Sequence, residues 1–76
     1  MLLNPYEKLA NAIIIQAAKD YRLALRRFRN YPNKAAAKNS KRKIEQVFRS
    51  DWYGMLTNID PEVLIRRLNE EVLENE

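Results

Sequence analysis

The run Asn4-Pro5-Tyr6-Glu7-Lys8-Leu9-Ala10-Asn11-Ala12-Ile13-Ile14-Ile15-Gln16-Ala17-Ala18-Lys19-Asp20-Tyr21-Arg22-Leu23-Ala24-Leu25-Arg26-Arg27-Phe28-Arg29-Asn30 decides the fold of this 76-residue chain. Asn4 is a preferred cap, Pro5 suits the first helical position, and Glu7 stands where a capping-box acid reaches back. Tyr6, Ala10, Ile13, Ile14, Ala17, Tyr21, Ala24, Leu25 and Phe28 then recur in one stripe at helical spacing. The opposite face carries Lys8, Lys19, Arg22, Arg26 and Arg29, with Ile15 stranded among them. Pro32 pushes Tyr31 into an extended conformation and so predicts an end near Asn30. The result is a helix of roughly 25 residues, about 38 Å long, and one end can project beyond so small a core.

Working outward, a second helix is expected from near Asn33 to about Arg49. Its first half, Lys34 to Lys43, is basic and poor in large apolar groups, so little packing holds its first turns. Ala37, Ile44, Val47 and Phe48 supply its apolar side. Ser50 can cap a short segment, Asp51 to Leu56, in which Gly54 suggests a chain turn or the close approach of another helix. Asp60 caps a last helix with Pro61 at its first position, Ile59 and Leu64 spaced as a hydrophobic staple, and a stripe of Leu64, Ile65, Leu68 and Val72. The last residues, Leu73 to Glu76, are expected to fray. No alternating strand pattern competes. The reading is all-α: one domain, residues 1–76, a small bundle of three major helices with a long N-terminal helix and a short helical turn near Trp52.

Charge is partitioned along the chain. Residues 1–50 hold twelve Lys/Arg against three acids, +9, and residues 51–76 hold two against seven, −5. Such a molecule can meet an anionic partner front-first or pair its own halves. The start lacks the basic and long apolar regions of a signal peptide, and no apolar run approaches the roughly 18 residues of a membrane span. A cytoplasmic location is expected. There is no cysteine and no histidine, which removes the thiolate nucleophile, the usual general base and the ordinary zinc and haem ligands. Gly54 is the sole glycine, so no phosphate-cradling loop exists. Glu70 and Glu74 read as a solvated acidic face. The chain is expected to be no enzyme and to need no cofactor or metal.

Binding remains. Lys8, Lys19, Arg22, Arg26, Arg29, Lys34, Lys38, Lys41, Arg42 and Lys43 form the candidate contact set for nucleic-acid phosphates or an acidic partner. No cluster suited to reading base edges accompanies them. Around Phe48-Arg49-Ser50-Asp51-Trp52-Tyr53 the spacing of Phe48 and Trp52 favours a buried tryptophan, and leaves Tyr53 and Arg49 as the candidates for an exposed protein contact. Ile15 and Leu23 lie off the main stripe of the first helix and are further interface candidates.

Two stretches, Ala12-Ile13-Ile14-Ile15-Gln16-Ala17-Ala18-Lys19-Asp20-Tyr21-Arg22 and Ile44-Glu45-Gln46-Val47-Phe48-Arg49-Ser50-Asp51-Trp52-Tyr53, followed by Leu56-Thr57, Asp60-Pro61-Glu62 and Leu64-Ile65, carry a resemblance. The chain resembles small helical proteins encoded by prophages and conjugative elements of Firmicutes. The resemblance implies an accessory protein in a bacterial host cell that occupies a host or phage protein or nucleoprotein surface, inhibition of a CRISPR-type defence nuclease being one such role. Two alternatives stand beside it: a small basic protein contacting nucleic-acid phosphates non-specifically, and a helical homodimer whose first helices pair along Ile15 and Leu23.

Overall fold

A computed structural model describes residues 4–74. It contains α1 (Pro5–Asn30), α2 (Ala35–Phe48), α3 (Asp51–Leu56) and α4 (Pro61–Glu74), and no strand forms among the described residues. The protein is all-α, with the expected long first helix. Met1 to Leu3 and the last two positions of the expected C-terminal fraying lie outside the described residues.

Local chemistry sets most boundaries. The Asn4 side chain accepts the Glu7 backbone N–H at 2.8 Å, and Pro5 follows at the first position. α1 stops at Asn30, with Tyr31 closing the last turn through its N–H to the Arg27 carbonyl at 2.8 Å. α2 starts at Ala35, two residues later than expected, because Pro32 and Asn33 are spent in a turn. Its cap residue, Lys34, makes no side-chain capping bond. Asp60 accepts the Glu62 N–H at 2.9 Å at the head of α4.

α2 turns back along α1: Ala36 and Ala37 lie beside Arg27 and Tyr31, while Phe48 packs edge-on against Tyr21 at 5.5 Å. α3 continues towards the start of α1, where the Tyr6 hydroxyl reaches the Met55 carbonyl at 3.4 Å. α4 then returns parallel to α1, tied by Arg49 to Glu62 at its start and by Arg22 to Glu71 near its end. The molecule is elongated, 43 Å in its longest dimension against 25 and 18 Å, because α1 spans its whole length.

Tyr21, Leu25, Phe48, Tyr53, Ile65, Leu68 and Val72 form the core together with Ala18. Tyr21 and Phe48 are fully buried, each stabilising the fold by about 2–3 kcal/mol of apolar transfer. The last-helix stripe behaves as expected. Val47 does not: it lies on the flank of α2 and remains exposed. Tyr6 also leaves the stripe, because the core ends before it.

The corner between α2 and α3 overturns two expectations. Helical spacing from Phe48 placed Trp52 in the core and Tyr53 outside. Tyr53 is instead buried, 2% exposed, and packs edge-on against Phe48 at 5.8 Å, while Trp52 is 48% exposed. The cause is Ser50. Its backbone is extended (φ −80°, ψ 160°), its hydroxyl donates to the Val47 carbonyl at 2.6 Å, and it accepts the Tyr53 N–H at 3.4 Å. A helix restarted after an extended residue loses its phase with the one before, so four-residue spacing across Ser50 no longer means one face. Gly54 is also neither a turn nor a close approach: it is an ordinary helical residue of α3, and a Cβ there would meet nothing within 4 Å.

Candidate functional site

The fold joins three helices through a polar seam. The Tyr21 hydroxyl of α1 donates to Glu45 of α2, whose same oxygen accepts the Lys41 ammonium at 2.8 Å. From α4, Asn69 donates to the Tyr21 hydroxyl at 3.1 Å and to the Ile65 carbonyl at 2.7 Å. Burial pushes the Glu45 carboxyl up, but the hydrogen bonds from Lys41 and Tyr21 and the charges of Lys41 and Arg49 outweigh it, so the group stays ionised below its ordinary range. Burial first, and then the bond to Glu45, raise the Tyr21 phenol. A carboxylate held ionised by two donors is a weak base, and the seam ties α1, α2 and α4 in register. In the sequence alone Tyr21 belongs to the apolar stripe and Lys41 to the open cations. The i, i+4 spacing of Lys41 and Glu45, and Asn69 amid the apolar face of α4, were the available signals.

The ten candidate cations divide accordingly. Lys41 is committed to Glu45 and stands over the Phe28 ring at 5.5 Å. Arg22 donates to Glu71 at 2.7 Å, and Arg29 to the Val72 carbonyl at 3.1 Å, so α4 covers one edge of the basic face of α1. What stays outward on α1 is Lys8, Lys19 and Arg26, exposed and without an ion pair among the described residues. On α2, Lys34, Lys38 and Arg42 follow at i, i+4 and i+8 as a second exposed ridge, with Lys34 over the Tyr31 ring at 4.8 Å. Lys43 is exposed but stands off that ridge. The α2 ridge flanks α1: Lys38 and Arg42 line a depression with Phe28, and Lys34 lines one with Arg27 and Tyr31.

α2 arranges its charges against local stability. Like charges one turn apart repel, and cations in a first turn oppose the helix dipole, each at a few tenths of a kcal/mol. α2 has no acid in its first turn to offset this.

Ile15 and Leu23 are 55% and 49% exposed on the arc of α1 that neither α2 nor α4 covers, among Lys8, Lys19 and Arg26. Arg49, the other interface candidate, is engaged: it grips Glu62 through two bonds of 2.7 and 3.0 Å, which raise the guanidinium pKa and lower that of the carboxyl. It is an exposed clasp between α2 and α4.

An apolar depression, about 270 Å³ and open to solvent, lies between Leu25, Phe28, Pro32 and Val72 with Lys41 and Asn69 at its side. Among the described residues, no three His, Cys, Asp or Glu side chains gather as a metal site, and no helix is long and apolar enough to cross a membrane. Comparison with protein-family models, with curated proteins and with solved structures finds no match to this chain.

Proposed function

We propose that this chain is a non-enzymatic binding protein, an accessory of the mobile-element type acting in a bacterial cytoplasm, and that it docks the uncovered face of α1 onto an acidic, partly apolar protein surface. The observation that carries this reading is the placement of Ile15 and Leu23, half exposed and framed by Lys8, Lys19 and Arg26. Apolar groups amid unpaired cations suit a partner that offers an apolar centre with an acidic rim, where desolvation of the aliphatics adds to steering by charge. A phosphate backbone would use the cations and leave both aliphatics in water. Occupying the acidic surface of a host defence nuclease is a role this reading contains.

Capture on immobilised protein from nuclease-treated bacterial lysate tests it. A protein retained by the wild type at physiological salt and lost from the Ile15→Asp, Leu23→Asp variant is the expected result. Retention by the variant, or a capture that nuclease treatment abolishes, overturns the reading.

Direct nucleic-acid binding is the second reading, favoured by the stripe of Lys34, Lys38 and Arg42, which α2 maintains against its own stability. Loss of duplex binding in the Lys38→Glu, Arg42→Glu variant would support it.

A further inference from the structure

We propose that the end of the molecule built from α3 and the start of α1 is where a second copy of this chain docks, making a two-fold dimer. Met55 and Trp52 lie one turn apart on the outer side of α3 and are 71% and 48% exposed. Leu56, one turn beyond Trp52, lines a shallow depression together with Tyr6, and the Tyr6 hydroxyl bonds the Met55 carbonyl at 3.4 Å. Leu9, one turn along α1 from Tyr6, extends the patch, and both are 61% exposed. Tyr6 therefore joins the exposed side chains of the two helices, through its bond to Met55 and the depression it shares with Leu56.

Area and charge both point to a second copy. The patch offers on the order of 500 Å² of apolar surface, so two copies facing each other would remove about 1,000 Å², the lower bound for a specific interface. A two-fold contact also sets the same patch of each copy against itself, so that residue i of one meets residue j of the other and j meets i. On the uncovered face of α1 that would bring the set Lys8, Lys19 and Arg26 against the same set of cations, and on α2 the set Lys34, Lys38 and Arg42. At the α3 end Trp52, Met55, Leu56, Tyr6 and Leu9 are uncharged, with Asp51 on α3 and Glu7, which lines the same depression as Tyr6 and Leu56, as acidic neighbours. Pairing there leaves both cationic ridges outward.

Sedimentation equilibrium of the full chain from about 10 to 500 µM tests the assignment, the range in which a dimer of this modest area dissociates. Twice the chain mass of 9.0 kDa is expected at the upper end. Met55→Asp should stay monomeric throughout with unchanged far-ultraviolet circular dichroism, because its side chain is outside the core. Ile15→Asp, on the other face, should still dimerise. Should Met55→Asp lose helicity, Trp52→Lys probes the same patch. A wild type that remains monomeric, a dimer that survives the α3 substitutions, or one that Ile15→Asp also dissociates, overturns the proposal.

Discussion

Tyr21 and Tyr53 are both core residues, yet their hydroxyls stand in opposite situations. Tyr21 donates to Glu45 and accepts from Asn69. The Tyr53 hydroxyl is buried without a hydrogen-bond partner among the described residues, and burial together with the Asp60 charge raises its pKa. Removing a bonded hydroxyl orphans its partners, whereas removing an orphan relieves a desolvation penalty. Tyr21→Phe should therefore destabilise the fold by about 1–2 kcal/mol and Tyr53→Phe should leave it unchanged or up to about 1 kcal/mol more stable. Urea unfolding reads both, and equal losses in the two variants would contradict the argument. Glu45 adds a pH dependence. Its folded pKa is lowered, so its stabilisation is present above its ordinary value of 4.5 and lost as pH falls through the lower, folded value. Stability should drop on acidification below about pH 4.5, and Glu45→Gln should flatten that drop while costing stability at neutral pH.

At the scale of the elements, the sequence was most legible where the chemistry is local. The Asn4, Ser50 and Asp60 caps, and the break before Pro32, are decided by a few adjacent residues, and all appear where expected. The phase of α3 was not legible, since which aromatic turns inward depends on the extended backbone of Ser50 and on the space beside Phe48. The same local reasoning predicts where helices can be improved. Gly54 has an ordinary helical φ and open space around it, so Gly54→Ala should stabilise by about 0.5–1 kcal/mol. Lys34 occupies an extended cap position (φ −80°, ψ 123°) with no side-chain bond and opposes the dipole. Lys34→Asp should then add about 1 kcal/mol, a gain of roughly 4–8 °C in Tm for a domain of this size. A fall in Tm in this variant would mean that the contact of Lys34 with the Tyr31 ring outweighs the cap.

For the whole molecule, the division into a basic front and an acidic back was plain in the sequence, but its consequence depends on how α4 lies. By returning along α1, α4 engages Arg22 and Arg29, while Lys41 is held by Glu45, so three of the ten candidate cations are not open for a partner. Long-range packing decides this, and no spacing rule within one helix discloses it. Most of the remaining cations stand on two ridges, Lys8, Lys19 and Arg26 on α1 and Lys34, Lys38 and Arg42 on α2. A rigid duplex laid on one ridge meets about three of them, and each neutralised phosphate contributes about 0.9 to the slope of log affinity against log salt. Duplex affinity should therefore fall only about 40-fold between roughly 50 and 200 mM salt. Fluorescence anisotropy of a labelled duplex at the two concentrations measures this directly. A loss of a thousandfold or more would require both ridges to engage at once, through a wrapped or multiply bound nucleic acid, and would move the basic α2 surface ahead of the apolar face of α1 as the site of function.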